Sequence, residues 1–175
     1  MTTSEPTRST SAALHQAKHP KTPLAGPYGH PFHPLLVTVP IGAWVAALVF
    51  DIVAMAADQP DSFAQGAYWL ILIGIVGALV AAVVGLMDLL TIPRGTRAFQ
   101  IGITHMALNL TVVALFVVNF LLRLAEGHDD VTALQLILTV IALGILGASG
   151  WLGGMLVYRY GVRVADEAKQ AEGFR

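Results

Sequence analysis

Three histidines and two aspartates carry most of the reactive chemistry of this 175-residue chain. His30-Pro31-Phe32-His33-Pro34 sets two imidazoles at the start of a long apolar run. His105 and Asn109 lie one helical turn apart in another. Neutral imidazole is a common metal ligand, and haem iron takes histidine as an axial ligand. His33 and His105 are therefore candidate ligands of one haem b, with Arg94 and Arg97 as candidate partners for its carboxylates. A second possible donor set, for a bare transition metal such as Fe, Zn or Mn, is His30, His33, His105 and Asp88. A third chemistry is a proton or ion path through Asp51, Asp88, His105 and Asn109. Asn119 completes the set of intramembrane polar residues. Asp51 has two candidate partners, Arg123 for an ion pair and Asn119 for a hydrogen bond.

Each of these residues has a plainer role open to it. His-Pro pairs before a helix make a rigid turn, because proline fixes φ and suits helix starts. A hydrogen bond donated to Asp88 or to a backbone carbonyl satisfies a buried His105. Asp51 and Asp88 form structural ion pairs equally well, with Arg123 and with Arg94 or Arg97. His15, His19 and His128 fall in tail or loop and read as ordinary. The chain has no cysteine, which excludes disulfides, iron–sulfur clusters, thiolate zinc sites and thiol nucleophiles. It has no G-x-S-x-G, H-E-x-x-H or Walker-type loop, so no hydrolase or nucleotide-binding motif is present.

The elements that position these residues follow from the charge distribution. Charged residues are 12% of the chain and hydrophobic residues 55%, with a net charge of -1; soluble domains average roughly 25% charged. Without a basic field, nucleic acid is not an expected partner. Four apolar runs, at 35–57, 67–90, 99–122 and 131–157, hold no Lys or Arg and only two acids, Asp51 and Asp88. A span needs about 20 mostly apolar residues, so the runs predict an all-α, integral membrane four-helix bundle. Short connections predict up-down-up-down neighbours. Arg8, Lys18, Lys21, Arg94, Arg97, Arg159, Arg163, Lys169 and Arg175 fall on one side, and only Arg123 on the other. That bias predicts both termini in the cytoplasm and a plasma-membrane location. It also divides the polar residues into an inner layer (His30, His33, Asp88, His105, Asn109) and an outer layer (Asp51, Asn119, Arg123). His105 is about 9 Å and Asp51 about 24 Å along its helix.

Residues 1–28 read as a disordered polar cytoplasmic tail, 29–164 as the membrane domain and 165–175 as a charged tail. No apolar run precedes residue 35, so no cleaved signal peptide is expected. Gly77, Ala81 and Gly85 form a small-residue stripe for close helix approach. Gly144, Gly147, Gly150 and Gly153 offer a second such face, for neighbouring helices, an oligomer contact or a flat ligand.

The motifs His30-Pro31-Phe32-His33-Pro34, Pro40-Ile41-Gly42, Asp51, Gly85-Leu86-Met87-Asp88, His105 with Asn109, and Gly150-Trp151-Leu152-Gly153-Gly154 resemble a family of bacterial four-helix membrane proteins known as domain of unknown function twenty-two thirty-one. The resemblance covers about residues 29–164 and implies a multi-pass membrane protein. A more distant likeness to b-type cytochrome membrane domains implies one haem and a soluble or membrane redox partner. The functional expectation is a haem- or metal-binding component for electron transfer in the inner leaflet. The alternatives are a proton-coupled carrier or channel, and a structural scaffold in the lipid bilayer.

Overall fold

The computed structural model describes residues 8–175; the first seven residues of the expected tail lie outside the described residues. Among the described residues the chain is helical with no strand. Helix α1 is Arg8–Lys18, α2 is the single turn His33–Leu36 and α3 is Thr38–Ala56. Pro40 cannot donate to the Leu36 carbonyl, and the helical ladder breaks between α2 and α3 at that point. The long helices α4 (Asp61–Leu89) and α5 (Arg97–Glu126) follow. Thr96 caps α5 through its side-chain oxygen, which accepts from the Phe99 N–H. Helix α6 (Ala133–Gly154) starts on a reciprocal cap between Thr132 and Gln135 and widens into a π-turn over Met155–Arg159. A short α7, Glu167–Gln170, lies beyond it.

Four stretches among the described residues are long and apolar enough to cross a membrane: His33–Ala56, Asp61–Leu89, Arg97–Glu126 and Ala133–Arg159. Each coincides with one of the apolar runs, but α4 starts six residues before its run and α5 ends four residues after its own. The extra turns carry polar side chains such as Asp61, Gln65 and Glu126, which read from sequence as loop. A helix keeps its backbone hydrogen bonds past the edge of the hydrocarbon, so hydropathy marks the lipid boundary and not the helix end.

The bundle is apolar outside, and its interior sets polar side chains among apolar ones. Only 17% to 28% of the residues in the most apolar window of each span are buried within the protein. Val45, Val49, Ile73, Val76, Val83, Leu121 and Ile137 all face outward. Asp51, Asn119, Arg123, Gln135, Thr139 and Ser149 are buried. A soluble bundle keeps most of its charged residues outside and few large apolar ones there; here lipid is the outer solvent.

Helix α3 lies along α4, α5 along α6, and α3–α6 and α4–α5 contacts close the ring. Trp44 fills its centre, stacked on Phe116 with ring centres 4.2 Å apart and donating from Nε1 to the Ile71 carbonyl. Small residues on α4 make room for α2 and α3. A Cβ on Gly74 would collide with the Trp44 indole, and one on Gly85 would sit 2.8 Å from the His33 ring. Of the expected stripe, Gly77 lies close against Val39 and Pro40 of α3 and Gly85 against the His33 ring, so it does serve close helix approach. On α6, Gly153 accepts His105, whereas Gly144, Gly147 and Gly150 face open space.

From Arg8 onward the segment read as a tail takes up structure and docks on one end of the bundle. Ala17 and Ala25 are buried, and Ala17 packs with Leu89, Ile92, Leu156 and Val162. The Arg163 N–H donates to the Ala17 carbonyl, and its guanidinium donates to the carbonyls of Ala25 and Gly26. Arg163 adopts the left-handed conformation with φ 62°, rare for a non-glycine residue. The three-way clamp holds it there.

Candidate functional site

The polar residues form two separate clusters at opposite ends of the bundle. The first is built on Asp51 of α3 and Arg123 of α5. Arg123 Nη2 lies 2.8 Å from both Asp51 carboxylate oxygens, and both residues are fully buried. Its Nε donates to Asn119 Oδ1 at 2.9 Å. Asn119 Nδ2 in turn donates to the Gln135 carbonyl and to Thr139 Oγ1 on α6. Thr139 Oγ1 lies 3.4 Å from Asp51 Oδ2, and Gln135 Nε2 donates to Glu126 Oε2. The network therefore joins α3, α5 and α6. It holds its charge in a pair and nearly exhausts its donors: only Arg123 Nη1 lacks a hydrogen-bond partner. Fully engaged groups of this kind bolt helices together.

The second cluster is the histidine pair. His33 at the start of α2 and His105 on α5 face each other edge to face, with ring centres 6.3 Å apart. His33 Nδ1 lies 3.0 Å from the Ala81 carbonyl on α4, and His105 Nδ1 lies 2.8 Å from the Ser149 carbonyl on α6. A carbonyl only accepts, so Nδ1 carries the proton in both neutral rings and Nε2 carries the lone pair. Ser149 adds a second brace, its hydroxyl donating to the His105 carbonyl at 3.2 Å. Asn109 Nδ2 donates to the His105 carbonyl at 2.9 Å and lies 3.2 and 3.4 Å from the two ring nitrogens. A donor on the Nε2 lone-pair axis would be much farther from Nδ1, so the amide sits over the ring and leaves that axis open. Each imidazole thus rests against a glycine and is fixed by a backbone carbonyl. The same arrangement fixes metal-binding histidines from behind.

The other residues of the expected donor set lie elsewhere, which corrects the four-ligand expectation. Asp88 forms an ion pair with Arg163, Nε to Oδ1 at 2.7 Å, in place of Arg94 or Arg97. His30 is exposed on the loop before α2. No group of three or more His, Cys, Asp or Glu able to hold a metal ion exists among the described residues. Arg94 and Arg97 are exposed, and no hydrogen bond joins either to the imidazoles. Thr91, Ser149, Gln135 and Thr139 are interior residues that charge counting does not single out, and it counts Arg163 without showing its burial. The hydroxyls and the amide are neutral, and Arg163 follows a turn that folds it back under α4.

A ring of four apolar helices around two polar clusters defines a multi-pass α-helical membrane protein. A family described as a predicted membrane protein, DUF2231, matches residues 29–166, and the chain belongs to it. No curated protein and no solved structure matches the chain.

Proposed function

We propose that this protein holds one haem b between His33 and His105 and serves as an electron-transfer component of the membrane. The observation that carries this reading is the imidazole pair: two rings from different helices, both anchored through Nδ1, with centres 6.3 Å apart. A bare ion needs three or four protein donors, and His33 and His105 supply two. A haem b would take these two imidazoles as its protein ligands. The bound group supplies one-electron chemistry. The chain's own residues fix the tautomer through Ala81 and Ser149, and the apolar spans exclude water from the site. Of the alternatives, a carrier working through Asp51 is disfavoured by its close pairing with Arg123.

In this reading the bundle crosses the plasma membrane up-down-up-down. Both terminal segments then face the cytoplasm, as the Lys/Arg bias supports, and the histidine pair lies in the inner leaflet. The test is the visible spectrum and iron content of the full chain purified in mild detergent from cells supplied with a haem precursor. The expected result is a Soret band that His33→Ala and His105→Ala each abolish and Asp88→Asn preserves. Folded protein that is colourless and iron-free overturns the proposal.

A further inference from the structure

A cleft of about 280 Å³ lies where the N-terminal segment docks beside the α4–α5 turn, away from both polar clusters. Leu90, Ile92 and Phe99 give it an apolar floor, Gln16 forms one wall, and Lys21 and Arg94 line its rim. The wall is fixed: Gln16 Nε2 donates to the carbonyl of fully buried Thr91 at 2.9 Å. Among the described residues no acidic side chain lines the cleft. Neither Lys21 nor Arg94 has a hydrogen-bond or ion-pair partner among the described residues, whereas Arg123, Arg163 and Lys169 are all paired. Two uncompensated cations over an apolar floor call for an amphiphilic anion.

Position narrows the choice. Leu89 ends one membrane-spanning helix and Arg97 begins the next, so the cleft lies at headgroup level whichever face of the bilayer this end occupies. Phe99 belongs to the first turn of α5, whose N-terminal amides add positive potential. Leu90 is 48% exposed and continues the floor towards the acyl chains. Basic pockets at this depth suit anionic lipid headgroups. We propose that this cleft binds the phosphodiester headgroup of an anionic phospholipid, with Lys21 and Arg94 on the phosphate and Leu90, Ile92 and Phe99 against the glycerol and upper acyl chain. The lipid then bridges the N-terminal segment and the bundle.

The test uses the full chain in detergent, titrated separately with phosphatidylglycerol, phosphatidylcholine and inorganic phosphate. Native mass spectrometry reads retained lipid and a melting curve reads stability. The expected result is preferential retention of phosphatidylglycerol, weakened about twenty-fivefold in the double variant Lys21→Gln/Arg94→Gln, at about fivefold per cation. Arg159→Gln, which removes an exposed cation outside the cleft, leaves retention unchanged. Both cleft cations are exposed and unpaired, so the double variant folds as the parent does, and its melting curve without lipid checks this. Equal retention of phosphatidylcholine overturns the proposal. So does undiminished phosphatidylglycerol binding by the double variant, or equal stabilisation by inorganic phosphate.

Discussion

At the scale of single residues, the Asp51–Arg123 pair is the most strongly determined feature. Both groups are desolvated, and each is neutralised only by the other and its hydrogen bonds. Removing one partner strands a charge in the protein interior, at a cost of about 3–5 kcal/mol. Arg123→Leu is therefore expected to lose about that much stability against denaturant in detergent, and Asp51→Leu/Arg123→Leu to regain a large part of it. An unchanged midpoint for Arg123→Leu counts against a structural role for the pair. This pairing was legible in the sequence, because a fixed rise per residue puts Asp51 and Arg123 near the same depth on different helices. The partner of Asp88 was not. Arg94 and Arg97 are close along the chain, yet Arg163, which is far along it, reaches Asp88 through a left-handed turn that spacing does not reveal. The hold on His105 was half legible. A backbone carbonyl was one of its expected partners, but which carbonyl depends on how α6 is rotated, and a hydroxyl such as Ser149 leaves no mark in a charge count.

At the scale of elements, the glycines on α4 and α6 are not equivalent, although the sequence presents them as similar stripes. Gly74 and Gly85 are filled by Trp44 and His33, whereas Gly42, Gly144, Gly147 and Gly150 have nothing near the position of a Cβ. Gly74→Ala forces the indole to move and is expected to lower stability by about 1–3 kcal/mol, as overpacking does. Gly42→Ala and Gly147→Ala meet no neighbour, so their melting temperatures should not fall. Gly85→Ala is the informative intermediate: it presses on the His33 ring, so it should shift the spectrum of any bound haem more than it shifts the melt. Helix existence was legible because four runs are too apolar and too long for anything but spans. The ends of α4 and α5 were not, since polar flanking turns extend a helix without extending its hydrophobic run.

At the scale of the molecule, the N-terminal segment belongs to the fold. Ala17, Ala25 and Gly26 are all tied to Arg163, and Gln16 to Thr91. Composition alone pointed to a loose polar tail, because Ser, Thr, Pro and Ala give no hydrophobic periodicity to read. The docking instead uses small side chains and backbone carbonyls. Arg163→Ala removes the guanidinium bonds to Ala25 and Gly26 but keeps the backbone bond to Ala17, so trypsin is expected to cut after Lys21 faster while the membrane-spanning core survives. Equal cleavage rates in the parent and the variant show that the clamp is dispensable.

The Arg163 clamp also has a consequence in time. Ala25 and Arg163 are 138 residues apart, and ribosomes add about 5–20 residues per second. The N-terminal segment therefore waits about 7 to 28 seconds after its own synthesis for the residue that fastens it. During that interval the helices enter the bilayer while the segment stays accessible. A stalled or truncated chain never closes the clamp, so an undocked N-terminus distinguishes unfinished molecules from finished ones.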